Sequence, residues 1–155
     1  MATALGKQVF VFWEGVWTLR RHFEGSYAGT FEGEAEFTAE ADGMLAYHYT
    51  EQGELTDAEG KQFGARQNYR YQLAADKIQV LKQEVSDWTP MHDLEFHMED
   101  DIAVARHTHQ CGQDYYEAVY RIDFSGQWEL AYRVIGPKKD YCIHSLYSEK
   151  RLSNK

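Results

Sequence analysis

The sequence predicts an all-β chain folded as a single antiparallel up-and-down β-barrel of about 8–10 strands, with a short N-terminal helical segment. Three observations carry this reading. Apolar and polar residues alternate with period two from residue 16 onward. Turn residues separate the alternating runs at short intervals. Eight Phe, eleven Tyr and four Trp accompany only two Pro in 155 residues, a composition suited to long uninterrupted strands.

Taken in order, ATALGKQVFVFW (2–13) is the one stretch with a helical reading, and is expected to form a turn of helix closing one end. VWTLRRHF (16–23) reads as the first strand and ends in the turn Glu24-Gly25-Ser26. In TFEGEAEFTAE, Phe31, Gly33, Ala35 and Phe37 alternate with Glu32, Glu34, Glu36 and Thr38, so one face is small or apolar and the other acidic. Gly33 and Ala35 leave room for sharp curvature or close approach. Ala41-Asp42-Gly43 signals a hairpin, after which Leu45, Tyr47, Tyr49 and Glu51 share a face. A polar loop is expected over about 53–61. Phe63, Ala65, Gln67, Tyr69, Tyr71 and Leu73 then align, Ala74-Ala75-Asp76 turns the chain, and Ile78 and Val80 begin another strand. Further strands are expected near 91–98, 102–110, 115–124, 127–135 and 140–147.

So many short-linked strands need two packed sheets or closure. Closure is favoured because the inward rows contain Glu51, Gln67 and His109, which a dry sandwich core would have to satisfy one by one. A lumen holding water or a ligand accommodates them directly.

The length suits one domain over 1–155. A formal charge of −9 argues against nucleic acid and against an anionic membrane surface, both of which require clustered Lys and Arg. No apolar run approaches the roughly 20 residues of a membrane span, and the start lacks a secretory cleavage pattern. A reducing, cytoplasmic setting is expected, with Cys111 and Cys142 as free thiols.

The densest chemistry lies in HTHQCGQDYY (107–116). In a strand, His107, His109 and Cys111 share one face, and a turn at Gly112-Gln113 returns Asp114 and Tyr116 alongside at cross-strand distances of roughly 5 Å. Zinc binding, a Cys–His pair, a polar network fixing a hairpin end and a contribution to an internal pocket all remain open. His92 shares its face with Leu94 and Phe96, as a core or lumen histidine. One of Arg20 and Arg21 points inward: alternation with Trp17 and Leu19 selects Arg21, and a bulge would select Arg20. Its acceptors would be Glu51, Asp114, backbone carbonyls or an anionic ligand. Lys138 and Lys139 follow a Gly136-Pro137 bend and either gate a lumen mouth or are solvated.

Gly15-Val16-Trp17 at the head of the first strand resembles the Gly-x-Trp signature of lipocalins and related calycins. That resemblance implies a Trp at the closed base beneath a late-strand arginine, here Arg133. The rest of the chain resembles the family of unknown function DUF6314. The shared residues run from Trp17 and Arg20 through FEGEAEF, Tyr47 to Gly53, Arg66, Tyr69 and His92-Asp93-Leu94. Its most specific pieces are His109-x-Cys111-x-x-Asp114-x-Tyr116 and Val134-x-Gly136-Pro137-Lys138-Lys139-Asp140-Tyr141. The resemblance implies a calycin-like barrel and brings no established activity.

The leading functional expectation is binding of a small polar or anionic molecule. Its candidate contacts are Arg20, Tyr47, Glu51, Tyr69, Tyr71, His92, His109, Cys111, Tyr116 and Lys138, with Tyr49 completing the aromatic wall. An enzyme using His109 or His92 as general base, with Asp114 orienting it, is the competing class. Haem or metal binding through a histidine, and a structural domain filled by its own aromatics, complete the alternatives. Cofactor identity and oligomeric state are not legible.

Overall fold

Period-two alternation becomes a single antiparallel sheet in the computed structural model, which describes residues 4–40, 45–75, 77–84 and 87–150. One helix, α1 (Ala4–Trp13), precedes β1 (Gly15–Gly25), β2 (Gly29–Ala39), β3 (Ala46–Asp57), β4 (Gln62–Leu73), β5 (Ile78–Glu84), β6 (Asp87–Leu94), β7 (His97–Glu99), β8 (Ile102–Cys111), β9 (Asp114–Ile122), β10 (Gln127–Gly136) and β11 (Lys139–Glu149). The expected hairpin at 41–43 and Asp76 of the expected 74–76 turn lie outside the described residues.

The eleven strands form one sheet in the order β6-β5-β4-β3-β2-β1-β11-β10-β9-β8-β7. Pairing of β1 with β11, as in Leu19 opposite Tyr147, joins the first and last strands and curls the sheet. Its free margins then meet at β6 and β8. There the Asp93 amide donates to His107 Nδ1 at 3.4 Å, and the His92 and His107 rings lie 5.2 Å apart. No backbone ladder joins those margins among the described residues.

The expected loop over 53–61 is mostly strand. Gly53 continues the β3 ladder opposite Gly33 of β2, and the chain turns only after Asp57, whose carboxylate accepts from the Glu59 and Lys61 amides at 2.9 Å. The ladder wins over the turn signal because the two glycines face each other. A Cβ at Gly33 would lie 2.1 Å from the Gln52 carbonyl oxygen, and one at Gly53 would lie 2.2 Å from that of Glu32. Two strands thus approach more closely than side chains allow, in a row running Leu19–Gly33–Gly53–Ala65 across four strands. The missing side chains let the sheet bend there.

At one end α1 closes the interior. Its buried residues, Gly6, Val9, Phe10 and Trp13, fall at helical spacing on one face. Phe10 stacks on Tyr47 at 4.1 Å, and the Tyr47 hydroxyl donates to the Phe10 carbonyl at 2.6 Å, satisfying a helix-end acceptor. Trp13, fully buried, stacks on Phe37 and meets Tyr71 and Trp128 edge-on or tilted. Trp17 of the Gly-x-Trp stretch sits at this base and donates its Nε1–H to the Trp13 carbonyl at 2.9 Å. Arg133 does not cover it: that side chain is exposed and pairs with Asp140 at 3.2 Å, because its place in β10 puts it on the outer face.

Candidate functional site

Beyond the Trp128–Tyr147 stack, with rings 3.8 Å apart, the inward rows cease to meet and a cavity of about 700 Å³ opens. Seven of the chain's eleven tyrosines line it: Tyr49, Tyr69, Tyr71, Tyr116, Tyr132, Tyr141 and Tyr147. That concentration decides its character, since phenols give a wall of ring faces tipped with hydroxyls. Met91, Leu130, Val134 and Ile143 supply aliphatic patches, while the exposed Lys82, His109 and Cys111 mark the rim.

The deep wall is a closed hydrogen-bond circuit. Arg21 follows Trp17 and Leu19 inward and meets Glu51 through both terminal nitrogens, at 2.6 and 3.1 Å, while its Nε–H donates to Ser145 Oγ at 2.7 Å. The Tyr49 hydroxyl donates to Glu51 Oε1 at 2.5 Å. Having spent its proton there, Tyr49 must accept from Tyr147 at 2.8 Å, and Tyr147 in turn can accept from Arg21 Nη2 at 3.5 Å. Burial works against the Arg21 charge, but Tyr147 and Glu51 more than offset it and hold the guanidinium protonated. Burial first, and Glu51 second, pushes the Tyr69 hydroxyl up to about 12. The phenols of Tyr49, Tyr71, Tyr132 and Tyr147 are likewise raised by burial and stay neutral.

Opposite this circuit, His92 Nε2 and the Tyr132 hydroxyl are 2.7 Å apart. A register shift between Val80 and Leu81 lets Met91 and His92 both reach the cavity, although they are neighbours in β6. Burial, with His107 nearby, lowers the His92 pKa to about 4, so the imidazole is neutral near pH 7. The unfolded chain binds this proton below about pH 6.5 while the folded chain resists until about 4. Stability is therefore expected to fall over that window, by roughly 3 kcal/mol from this group, and to lose no more below it. Urea titrations at stepped pH should show this slope, and His92→Gln should remove it.

The two most specific stretches of the sequence converge at the mouth. Lys139, at the β10–β11 hairpin, reaches Asp114 at 3.0 Å and the Tyr116 hydroxyl at 3.1 Å. Those two contacts raise its pKa, Tyr116 first. A Cβ on Gly136 would fall 2.1 Å from Asp114 Oδ1, so the glycine of Gly136-Pro137 makes room for this carboxylate.

Of the expected site residues, Tyr49, Glu51, Tyr69, Tyr71, His92, His109, Cys111 and Tyr116 line the cavity. Arg20 does not: it is exposed on the outer face, the strand running without a bulge, and Arg21 takes the inward place. Tyr47 points inward too, but lower, where α1 claims it. Lys138 is exposed at the hairpin tip and does not line the cavity, while its neighbour Lys139 turns to Asp114 and Tyr116. Asp114 orients no histidine; Lys139 holds it. Both cysteines are free thiols. Among the described residues no group of three or more His, Cys, Asp or Glu is placed to hold a metal ion, and no helix is long and apolar enough to cross a membrane. Tyr132 and Tyr147 were the readable omissions: the inward rows Trp128-Leu130-Tyr132-Val134 and Tyr141-Ile143-Ser145-Tyr147 carry the same alternation as the earlier strands.

Fold and site together define a calycin-like curled sheet, plugged by a helix at one end and opening at the other onto an aromatic-lined cavity. The chain belongs to the family of unknown function DUF6314, whose pattern matches residues 13–149. No curated protein matches it by sequence. Its fold is similar to the crystal structure of Rv2717c from M. tuberculosis, with TM-score 0.66 and 14% identity over 96% of this chain and 99% of that one. It is also similar to the S-type phycobiliprotein lyase CPES from Guillardia theta, with TM-score 0.62 and 12% identity over 95% and 93% of the two chains.

Proposed function

We propose that this protein binds a small molecule in the tyrosine-lined cavity. The observation that carries the reading is the combination of about 700 Å³ of space with seven phenols on its walls. That volume lies within the range of ligand sites, and ring faces with a few placed polar groups are the usual lining. The circuit of Arg21, Glu51, Tyr49 and Tyr147 supports binding over packing, because it fixes those polar groups in place yet leaves one Arg21 Nη1 N–H without an acceptor among the described residues. It also favours a polar ligand over an anionic one, since the inward arginine already has its carboxylate. Catalysis is less supported: the carboxylate that would orient His109 or His92 is engaged by Lys139.

Nile red, a neutral solvatochromic dye, tests this. The expected result is one-to-one binding with a blue-shifted emission, accompanied by a change in tryptophan fluorescence through the Trp128–Tyr147 stack. Leu130→Trp, which extends an inward side chain into the cavity, should weaken binding about tenfold or more while the far-ultraviolet circular dichroism is retained. Binding that ignores this substitution, or none at all, would count against the reading.

A further inference from the structure

The chemistry of the occupant follows from which charges and hydrogen-bond donors the cavity leaves unanswered, an inference that rests on the binding reading above. Its two deep charges, Arg21 and Glu51, cancel at 2.6 Å. Lys82 is exposed at the rim, and the phenols of Tyr49, Tyr71, Tyr132 and Tyr147 and the His92 ring are neutral. A carboxylate or phosphate brought inside would lose its hydration and meet a guanidinium already paired, with Glu51 beside it.

Donors are a different matter. The Tyr116 oxygen accepts from the Lys139 ammonium, so its own O–H must donate elsewhere, and no described residue accepts it. Arg21 has one Nη1 N–H engaged by Glu51; the other has no acceptor among the described residues. One free donor thus lies deep in the cavity and one near its mouth, and His92 Nδ1, buried without a partner among the described residues, is a third unanswered polar atom in the wall. The seven phenols and Phe23 give the walls ring faces, including Tyr49 and Tyr69 stacked at 5.7 Å, which suit a conjugated face better than an aliphatic chain.

We propose that the cavity selects an uncharged, flat, conjugated molecule bearing acceptors such as ring carbonyls, taken up by the Tyr116 O–H and the free Arg21 N–H, and that it rejects carboxylates and phosphates of similar shape.

Three matched probes separate the parts of this proposal at pH 7, by calorimetry or tryptophan quenching: 9-fluorenone, fluorene without the carbonyl, and 9-fluorenone-4-carboxylate. Of these, fluorenone should bind most tightly, with each of the others weaker by about fivefold or more. 9,10-Anthraquinone, whose two carbonyls can meet both donors, should bind more tightly than fluorenone, and Tyr116→Phe should weaken it by a similar factor while leaving fluorene unchanged. Carboxylate binding equal to or tighter than fluorenone, or fluorene equal to fluorenone, would overturn the ligand class while leaving the binding reading intact. So would failure of all these probes when Nile red binds. Failure of Nile red as well removes the binding reading itself.

Discussion

Arg21→Met is expected to lower the unfolding free energy at pH 7 by about 3–5 kcal/mol, because it strands a charged partner in a buried place. The Glu51 side chain is 2% exposed, so the loss of its cation cannot be made good by bulk water. One hydroxyl, from Tyr49, would remain to it. One signature distinguishes this cause from lost packing. The double substitution Arg21→Met with Glu51→Leu should recover at least about half of the loss, since removing both charges removes the desolvation penalty. Glu51→Ala alone should be milder, because the Arg21 side chain is 16% exposed and faces the cavity. Urea midpoints of the four proteins at pH 7 provide the check.

Gly33→Ala is expected to be comparably severe, at roughly 3 kcal/mol or more, for a reason unconnected with charge. The added methyl would meet the Gln52 carbonyl oxygen at 2.1 Å and the Gly53 Cα at 2.7 Å. Both are backbone atoms held in the β2–β3 ladder, so no side chain can swing aside and the strands must part. Gly64→Ala is the matched control. It lies two strands away, on β4, with nothing within 4 Å of the new methyl, and should change stability by only about 0.5 kcal/mol in either direction. Equal effects at the two positions would show that strand propensity, and not close approach, governs this row.

Much of the fold was legible because alternation reports directly on the two environments of a strand. FEGEAEF separated into a buried row of Phe31, Ala35 and Phe37 and an exposed row of glutamates, as its letters require. Alternation also pointed to Arg21, since Trp17, Leu19, Arg21 and Phe23 form one row, yet the expected cavity contact was Arg20, which stands on the outer face. What alternation cannot carry is height along the strand. Tyr47 and Tyr49 share a face, yet one is bonded to α1 and the other lines the cavity, and only the seating of the helix decides which. The sequence shows no more than a turn of helix there, because ten residues of ordinary propensity say little until a Trp13-sized plug finds a sheet to fill. Gly53 was misread for the opposite reason: locally it signals a loop, and its partner Gly33 stands twenty residues away.

The mouth of the cavity shows the same limit in its chemistry. His109, Cys111, Asp114 and Tyr116 were expected to work together across one hairpin, and they are indeed adjacent there. A second hairpin, remote in sequence, supplies Lys139 and takes Asp114 and Tyr116 for itself. Long-range ion pairs of this kind leave no periodic trace. Only the presence of two unusually specific stretches hinted that they belong together.

The central claim is that the interior is divided into a dry aromatic base under α1 and an open chamber beyond Trp128 and Tyr147. An electron-density map of the crystalline protein tests it most directly. The expected map holds ordered water or a bound molecule between Tyr69, His92 and Tyr132, with Arg21 fixed on Glu51. A map in which those rings close over the space and pack against one another would contradict it.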